Sequence, residues 1–188
     1  MKTKILAAVL AFATNAAFAG AITNGDFASG TLNGWSANGS ATVVSNSTYY
    51  FADLYAGLGA NVYTTLSQSM YLQAGDVLTG SAQFFAHDYM PYDDSSYVSI
   101  GGTNLFTSSI SSVGNYGTSA LTTFSYTVLT SGNYVLSAGV KNSGDNSGAS
   151  ELQISNFAVA TNVPEPASMA LMGLGLLGVA ALRRKSRI

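Results

Sequence analysis

Apolar and polar residues alternate over several stretches of the chain between residues 20 and 162. The alternation is clearest in Asp76–Ala86, Leu121–Leu129 and Asn133–Val140. A period of two is the side-chain period of a β-strand, so each stretch is predicted to be a strand with one buried face. The residues predicted to share these faces are Leu78, Ala82 and Phe84 in the first stretch, Phe124, Tyr126 and Val128 in the second, and Tyr134, Leu136, Ala138 and Val140 in the third.

Turn-forming sequences recur between these stretches at the spacing expected of short strands. They are Asn24-Gly25, Asn33-Gly34, Asn38-Gly39, Ala74-Gly75-Asp76, Ser131-Gly132-Asn133 and Ser143-Gly144-Asp145-Asn146. Near the end of the region the apolar parity switches between Ile154 and Phe157, which predicts a β-bulge at Ser155-Asn156. Many short strands with regular turns predict an all-β fold, a single antiparallel jelly-roll-like β-sandwich over residues 20–162.

The N-terminus has the three parts of a secretory signal peptide. Lys2 and Lys4 provide the positive region, and Ile5–Ala13 is a short apolar run. Ala17-Phe18-Ala19 is a small-x-small cleavage site. Residues 1–19 are therefore predicted to be removed by cleavage between Ala19 and Gly20.

The C-terminus has a second three-part signal at residues 163–188. Pro164-Glu165-Pro166 precedes an apolar run, Met169–Leu182, and a basic cluster closes the sequence. A 14-residue helix reaches about 21 Å, and Ala167 and Ser168 extend it toward the roughly 30 Å of a hydrocarbon core. We predict a transmembrane helix at about 167–182 and a cytoplasmic tail at 183–188, because basic residues stay inside. The basic residues are Arg183, Arg184, Lys185 and Arg187.

This C-terminal pattern resembles the PEP-CTERM sorting domain of Gram-negative bacteria. The resemblance implies recognition by an exosortase, an integral-membrane cysteine transpeptidase thought to cut near Pro164-Glu165-Pro166. It also implies an inner-membrane intermediate, a final place at the cell surface or in the extracellular matrix, and a producer that makes exopolysaccharide. The alternative is a C-terminal membrane anchor that is never cut.

The region between the two signals is strongly anionic. It contains eight Asp and Glu residues against the single base Lys141, a net charge of −7. Such a charge repels nucleic acid, so no DNA or RNA partner is expected. The chain has no cysteine, which excludes disulfides and thiol chemistry.

A second resemblance concerns the start of this region. Ile22–Phe27 followed by Leu32–Trp35 is similar to the opening of jelly-roll carbohydrate-binding domains, which implies extracellular polysaccharide as a candidate partner. Ala28 and Ser155 stand where that family often has acids that help to hold a structural calcium ion. These departures weaken the case for that particular ion.

One acidic loop, His87–Asp94, holds the candidate site residues. Asp88, Asp93 and Asp94 are candidate calcium ligands, because calcium prefers carboxylate and carbonyl oxygens. Tyr89 and Tyr92 are candidate ligand-binding residues beside them. The alternative for the acids is a solvated connecting loop, and for the tyrosines an ordinary role in strands. Trp35 is interpreted as a core residue rather than a sugar platform.

Motifs of enzymatic chemistry are absent from the sequence. It has no Gly-x-Ser-x-Gly elbow, no Walker loop and no His-Glu-x-x-His. We therefore predict no catalytic residues, no enzymatic activity and no cofactor other than the candidate calcium. The leading hypothesis is an exported carbohydrate-binding protein of the cell surface or biofilm matrix. A structural matrix protein without a ligand and an exported hydrolase are the alternatives.

Overall fold

The computed structural model describes residues 22–161, together with Leu174 and Gly175. Ten strands and one short helix form the described part. The strands are β1 (Ser36–Asn38), β2 (Ser40–Ser45), β3 (Tyr50–Tyr55), β4 (Thr64–Leu72), β5 (Val77–Phe85), β6 (Ser95–Ile100), β7 (Thr103–Ser109), β8 (Thr122–Thr127), β9 (Gly132–Lys141) and β10 (Glu151–Ala160), and the helix is α1 (Ile110–Val113).

The strands form two five-stranded antiparallel sheets, which makes the fold a jelly-roll-like β-sandwich. Sheet I has the order β1-β4-β9-β6-β7, and sheet II has the order β2-β3-β10-β5-β8. The longest pairing of sheet I joins β4 to β9, from Thr64 opposite Val140 to Leu72 opposite Gly132. Strand β10 lies in the middle of sheet II, between β3 and β5.

The core lies between the two inner faces and contains the residues that the alternation predicts to be buried. Fully buried side chains come from both sheets, including Leu66, Val98 and Leu136 of sheet I and Leu78 and Phe84 of sheet II. The remaining predicted positions that are buried are Ala82, Val128, Ala138 and Val140, and those that are only partly buried are Phe124 and Tyr126 of the edge strand β8 and Tyr134 of β9. Since each buried side chain of this size contributes roughly 1.5–3 kcal/mol, this alternation is the main source of stability.

The switch of the apolar positions in the last strand is caused by a β-bulge, as predicted. The pairing of β10 with β5 shifts register between Ser155 and Ala158. Asn156 lies at the shift with a φ of 56°, a left-handed conformation that asparagine tolerates better than most residues. The bulge returns Phe157 to the core side, where it is buried.

The opening segment packs against this bulge. The Phe157 backbone N–H donates to the Gly25 carbonyl at 3.0 Å. The Trp35 ring lies 5.3 Å from the Phe27 ring and 5.5 Å from the Phe157 ring, and its Nε1 donates to the Asn24 carbonyl. Trp35 is therefore a packing residue, as its place between turns predicts.

The two predicted sorting signals fall almost entirely outside the described residues. These are the signal peptide with Ala17, Ala19 and Gly20, the motif Pro164-Glu165-Pro166, and the helix and basic tail at 167–188. Within the part of the chain that the structure describes, no helix is long and apolar enough to cross a membrane.

Candidate functional site

Three tyrosine rings meet at one end of the sandwich. The Tyr89 ring centroid lies 5.7 Å from that of Tyr92, nearly perpendicular to it, and 5.9 Å from that of Tyr116. Tyr89 is 44% exposed and Tyr116 is 64% exposed. We call Tyr89, Tyr92 and Tyr116 the tyrosine cluster. The structure therefore brings Tyr89 and Tyr92 together with Tyr116, which the sequence also offers as one of several tyrosines that could form a platform for glycan rings.

Hydrogen bonds from two backbone N–H groups hold the two loops of this cluster against each other. The Tyr116 N–H donates to the Asp88 carbonyl at 2.9 Å, and the Met90 N–H donates to Asn115 Oδ1 at 3.0 Å. Tyr116 has a φ of 55°, which turns the chain sharply between Asn115 and Gly117. The local signal for Tyr116 was this Asn-Tyr-Gly turn, but a turn does not reveal which distant loop it will contact.

The three predicted calcium ligands do not act as one group. Asp93 accepts hydrogen bonds from the backbone N–H and the hydroxyl of Ser111, at 2.8 and 2.9 Å, on the side of α1. Asp94 points the opposite way, because adjacent side chains of an extended segment alternate in direction. It is completely buried. The described residues contain no group of three or more His, Asp or Glu side chains that could hold a metal ion.

Asp88 and Asp94 are both buried at the same end of the sandwich. Asp94 accepts from the Ser143 backbone N–H at 2.8 Å and from the Ser150 hydroxyl at 2.6 Å. Asp88 accepts from the Tyr89 N–H at 2.8 Å through one carboxylate oxygen. Burial raises the pKa of Asp94, the bonds from Ser150 and Ser143 oppose that rise, and the negative charge of Asp88 adds to it.

A second pair of carboxylates, Asp53 and Glu151, lies on the outer face of sheet II. Strand pairing places Asp53 opposite Gln153 and Tyr55 opposite Glu151, so the two acids are diagonal neighbours. Both side chains are more than 90% buried. The Gln153 amide donates to Glu151. Sequence analysis did not identify this pair, because its members belong to strands that are far apart in the chain.

The Asp53–Glu151 pair holds a proton at neutral pH. Burial raises the pKa of Asp53 to about 8, and the hydrogen bond and negative charge of Glu151 contribute to the rise. Burial and the same two acids raise the pKa of Tyr55 to about 12. One proton shared by the two carboxyl groups relieves the repulsion that two buried negative charges would have.

Comparison with known protein families gives one match. The model of the PEP-CTERM protein-sorting motif matches residues 162–185. The chain carries a PEP-CTERM motif. This motif implies an exported protein that an exosortase recognises, in agreement with the prediction from Pro164-Glu165-Pro166 and the residues that follow. A search among curated proteins found no match.

Solved structures similar to this chain include carbohydrate-binding modules. TmCBM61, solved with β-1,4-galactotriose, is 17% identical, with 76% of this chain and 99% of that chain covered and a TM-score of 0.48. A family 16 carbohydrate-binding module is 15% identical, with 74% and 99% covered and a TM-score of 0.45. A Stig cyclase from Fischerella sp. TAU is 12% identical, with 75% and 96% covered and a TM-score of 0.41. At these levels of similarity neither ligand nor activity follows.

Proposed function

We propose that this protein is exported, processed by an exosortase and retained at the cell surface or in the exopolysaccharide matrix, where it binds carbohydrate without catalysing a reaction. The observation that carries the binding proposal is the tyrosine cluster, in which the exposed Tyr89 ring contacts the rings of both Tyr92 and Tyr116 at one end of the sandwich. An aromatic ring combines a large apolar face with a polar hydroxyl, which suits a ligand that is apolar on one side and wet on the other.

The charge of the described region narrows the choice of carbohydrate. Eight acids and one base repel a polyanion, so a neutral polysaccharide is the favoured ligand. A polar side chain for its hydroxyls is present in the same loops, since Asn115 precedes Tyr116 and its Oδ1 accepts from the Met90 N–H. The same charge disfavours nucleic acid.

Export and processing follow the sequence predictions at both ends. We propose cleavage after Ala19, insertion of the helix at about 167–182 in the inner membrane, and retention of the tail 183–188 in the cytoplasm. Cleavage near Pro164-Glu165-Pro166 then releases the sandwich outward. An uncut anchor remains the alternative to this last step.

The Asp53–Glu151 pair favours binding over hydrolysis. A glycosidase places its two carboxyl groups about 5–9 Å apart, on opposite sides of the scissile bond. Asp53 and Glu151 are instead both buried, so a glycosidic bond cannot lie between them. A structural matrix protein without a specific ligand is the alternative that the geometry leaves open.

Binding of the full chain, purified in mild detergent, to neutral polysaccharides tests the proposal, with the producer's own exopolysaccharide included. We expect saturable binding that falls at least tenfold in the double variant Tyr89→Ala, Tyr116→Ala. Tyr71→Ala is the matched control, because Tyr71 is 48% exposed on β4 and makes no ring contact among the described residues. Absence of binding by the wild type, or an equal loss in the control, supports the structural alternative.

Processing is tested separately in the producing cell. Replacement of Glu165 by Ala, or deletion of Met169–Ile188, should change the size or the location of the product on immunoblots of membrane and surface fractions. A wild-type chain that stays intact in the membrane would contradict processing and support a plain anchor.

A further inference from the structure

The Asp88–Asp94 pair is buried without a basic partner. Asp94 is 0% exposed and Asp88 is 4% exposed. Lys141 is the single Lys or Arg between residues 22 and 161, and its Nζ lies over the Tyr63 ring, 5.1 Å from the centroid. The nearest imidazole, His87, directs Nδ1 to the Ala149 carbonyl at 3.0 Å. Two buried carboxyl groups without a basic partner need compensation from a proton or from a cation.

An asparagine side chain completes the group around Asp94. The pairing of β6 with β9 places Ser95 opposite Lys141, so in continuing register Asp94 lies opposite Asn142. Alternation puts both residues on the inner face, with Ser96 and Val140, which are buried. Directly opposite residues of an antiparallel pair have Cβ atoms about 5 Å apart, so the Asn142 amide lies beside the Asp94 carboxylate.

Several polar atoms of this group are buried without a hydrogen-bond partner. They are Oδ2 of Asp88 and both Oδ1 and Nδ2 of Asn142. Asn142 is completely buried. Native proteins pair nearly all such atoms, so an unpaired carboxylate oxygen and an unpaired amide oxygen next to a second buried carboxylate indicate a missing positive partner.

The surrounding backbone holds these oxygens in place. Ser143 and Ser150 donate to the two oxygens of Asp94 and fix its plane, which leaves further lone pairs on both oxygens. Gly148 closes over Asp88, where a Cβ would lie 2.9 Å from the Asp88 carboxyl carbon. The group is thus enclosed by the loop 142–150 and the loop 86–94.

We propose that Asp88, Asp94 and Asn142 bind one calcium ion. The side-chain donors are oxygen atoms and carry two negative charges, which is the set that a hard divalent cation prefers. Calcium accepts irregular geometry from loops, whereas magnesium demands a near-ideal octahedron. Asp93, which the sequence suggested as a ligand, is replaced in this set by Asn142.

This site would order the loop that carries Tyr89, but the inference does not depend on carbohydrate binding. Its readout is the stability of the protein, so failure of the proposed function leaves it standing. A ligand that binds only the folded state raises the melting temperature in proportion to the logarithm of its concentration.

The experiment compares thermal melts of the full chain in mild detergent with calcium chloride and with a calcium chelator. We expect the melting temperature to rise by several degrees with calcium, and the rise to disappear in Asp88→Asn. Asp93→Asn is the matched control and should keep the full rise, because Asp93 bonds Ser111 outside the site. No rise in the wild type, or an equal loss in the control, would overturn the proposal.

A second variant keeps the test decisive if Asp88→Asn folds poorly. Asn142→Asp adds a third carboxylate to the site, so it should lower the melting temperature in chelator and increase the rise with calcium. Magnesium chloride at the same concentration should produce a smaller rise. If Asn142→Asp melts at the same temperature with calcium and with chelator, the site holds water or a proton rather than calcium, and the proposal fails.

Discussion

The sandwich contains two pairs of buried acids that solve the same electrostatic problem differently. Asp53 and Glu151 lie on the outer face of sheet II, and a proton neutralises one of them, since the pKa of Asp53 is about 8. Asp88 and Asp94 lie at one end between loops, where hydrogen bonds from Ser143 and Ser150 oppose the rise that burial causes in the pKa of Asp94. The two pairs therefore differ in the number of hydrogen-bond donors that face each acid.

The donors differ because the neighbouring backbone differs. In the middle of a sheet, backbone N–H groups are used by strand pairing, and Oδ1 of Asp53 has no hydrogen-bond partner. At the sheet end the chain leaves the ladder, and the Ser143 N–H is free to donate to Asp94. A carboxylate is therefore easier to keep charged at a strand end than within a strand.

The largest expected effect is a loss of stability as the pH rises. Between the ordinary Asp value of 3.8 and about 8, folded Asp53 keeps a proton that the unfolded chain has lost. Its contribution is thus complete below pH 4 and is lost as the pH rises through about 8, a change on the order of 5 kcal/mol. Urea unfolding at pH 4, 6, 8 and 9 measures it.

Comparison of Asp53→Asn with the wild type isolates the part of the pH dependence of stability that comes from Asp53. The variant has no proton to lose at this position, so its stability should fall less with pH than that of the wild type and should exceed it at pH 9. If the stability of the wild type and that of the variant changed equally with pH, Asp53 would be ionised in the folded protein. The difference between the Asp53–Glu151 pair and the Asp88–Asp94 pair would then disappear.

The next effect concerns the other pair. Asp94→Ala leaves the Ser143 N–H and the Ser150 hydroxyl buried without an acceptor, so we expect a loss of about 3 kcal/mol in the free energy of unfolding. Asp93→Ala removes a more exposed acceptor and should cost below about 1 kcal/mol. Equal losses of unfolding free energy in the two variants would mean that the buried donors to Asp94 contribute no more than the exposed donors to Asp93. Chemical unfolding at constant calcium concentration measures both.

A smaller effect is expected at Gly148, which has a φ of 60° and touches Asp88. Gly148→Ala combines left-handed strain with displacement of Asp88, a cost of about 2 kcal/mol. Gly102 also has a positive φ, but a Cβ there meets nothing within 4 Å. Gly102→Ala therefore isolates the strain, at about 1 kcal/mol. The difference in melting temperature between the two variants reports the contact with Asp88.

The smallest effect is a shift in the pH profile of the first pair. The Tyr55 hydroxyl hydrogen-bonds Asp53 and lowers its pKa against the larger opposing effects. Tyr55→Phe removes that donor, so the loss of stability should move to higher pH. The same urea series measures the midpoint, and a shift to lower pH would show that Tyr55 favours the protonated acid.

Much of the fold could be predicted because alternation is a local property. The buried faces of β5 and β9 and the bulge at Asn156 follow from residues close together in sequence. The sites could not be predicted in the same way. Glu151 meets Asp53 only through strand pairing, and Asn142 joins Asp94 only through the register of β6 with β9. Asp93 is next to Asp94 in sequence but bonds Ser111, since adjacent side chains of an extended chain point in opposite directions.

Strand β10 also sets a distance along the molecule. It begins with Glu151 beside Phe85, at the end that carries the tyrosine cluster, and runs ten residues to Ala160. At about 3.3 Å per residue the strand spans roughly 33 Å. Pro164 follows Ala160 by four residues, a reach of at most about 14 Å. Under the proposed processing, the tyrosine end is the end far from the sorting motif, so the proposal implies that the protein meets a polymer outside before it leaves the membrane.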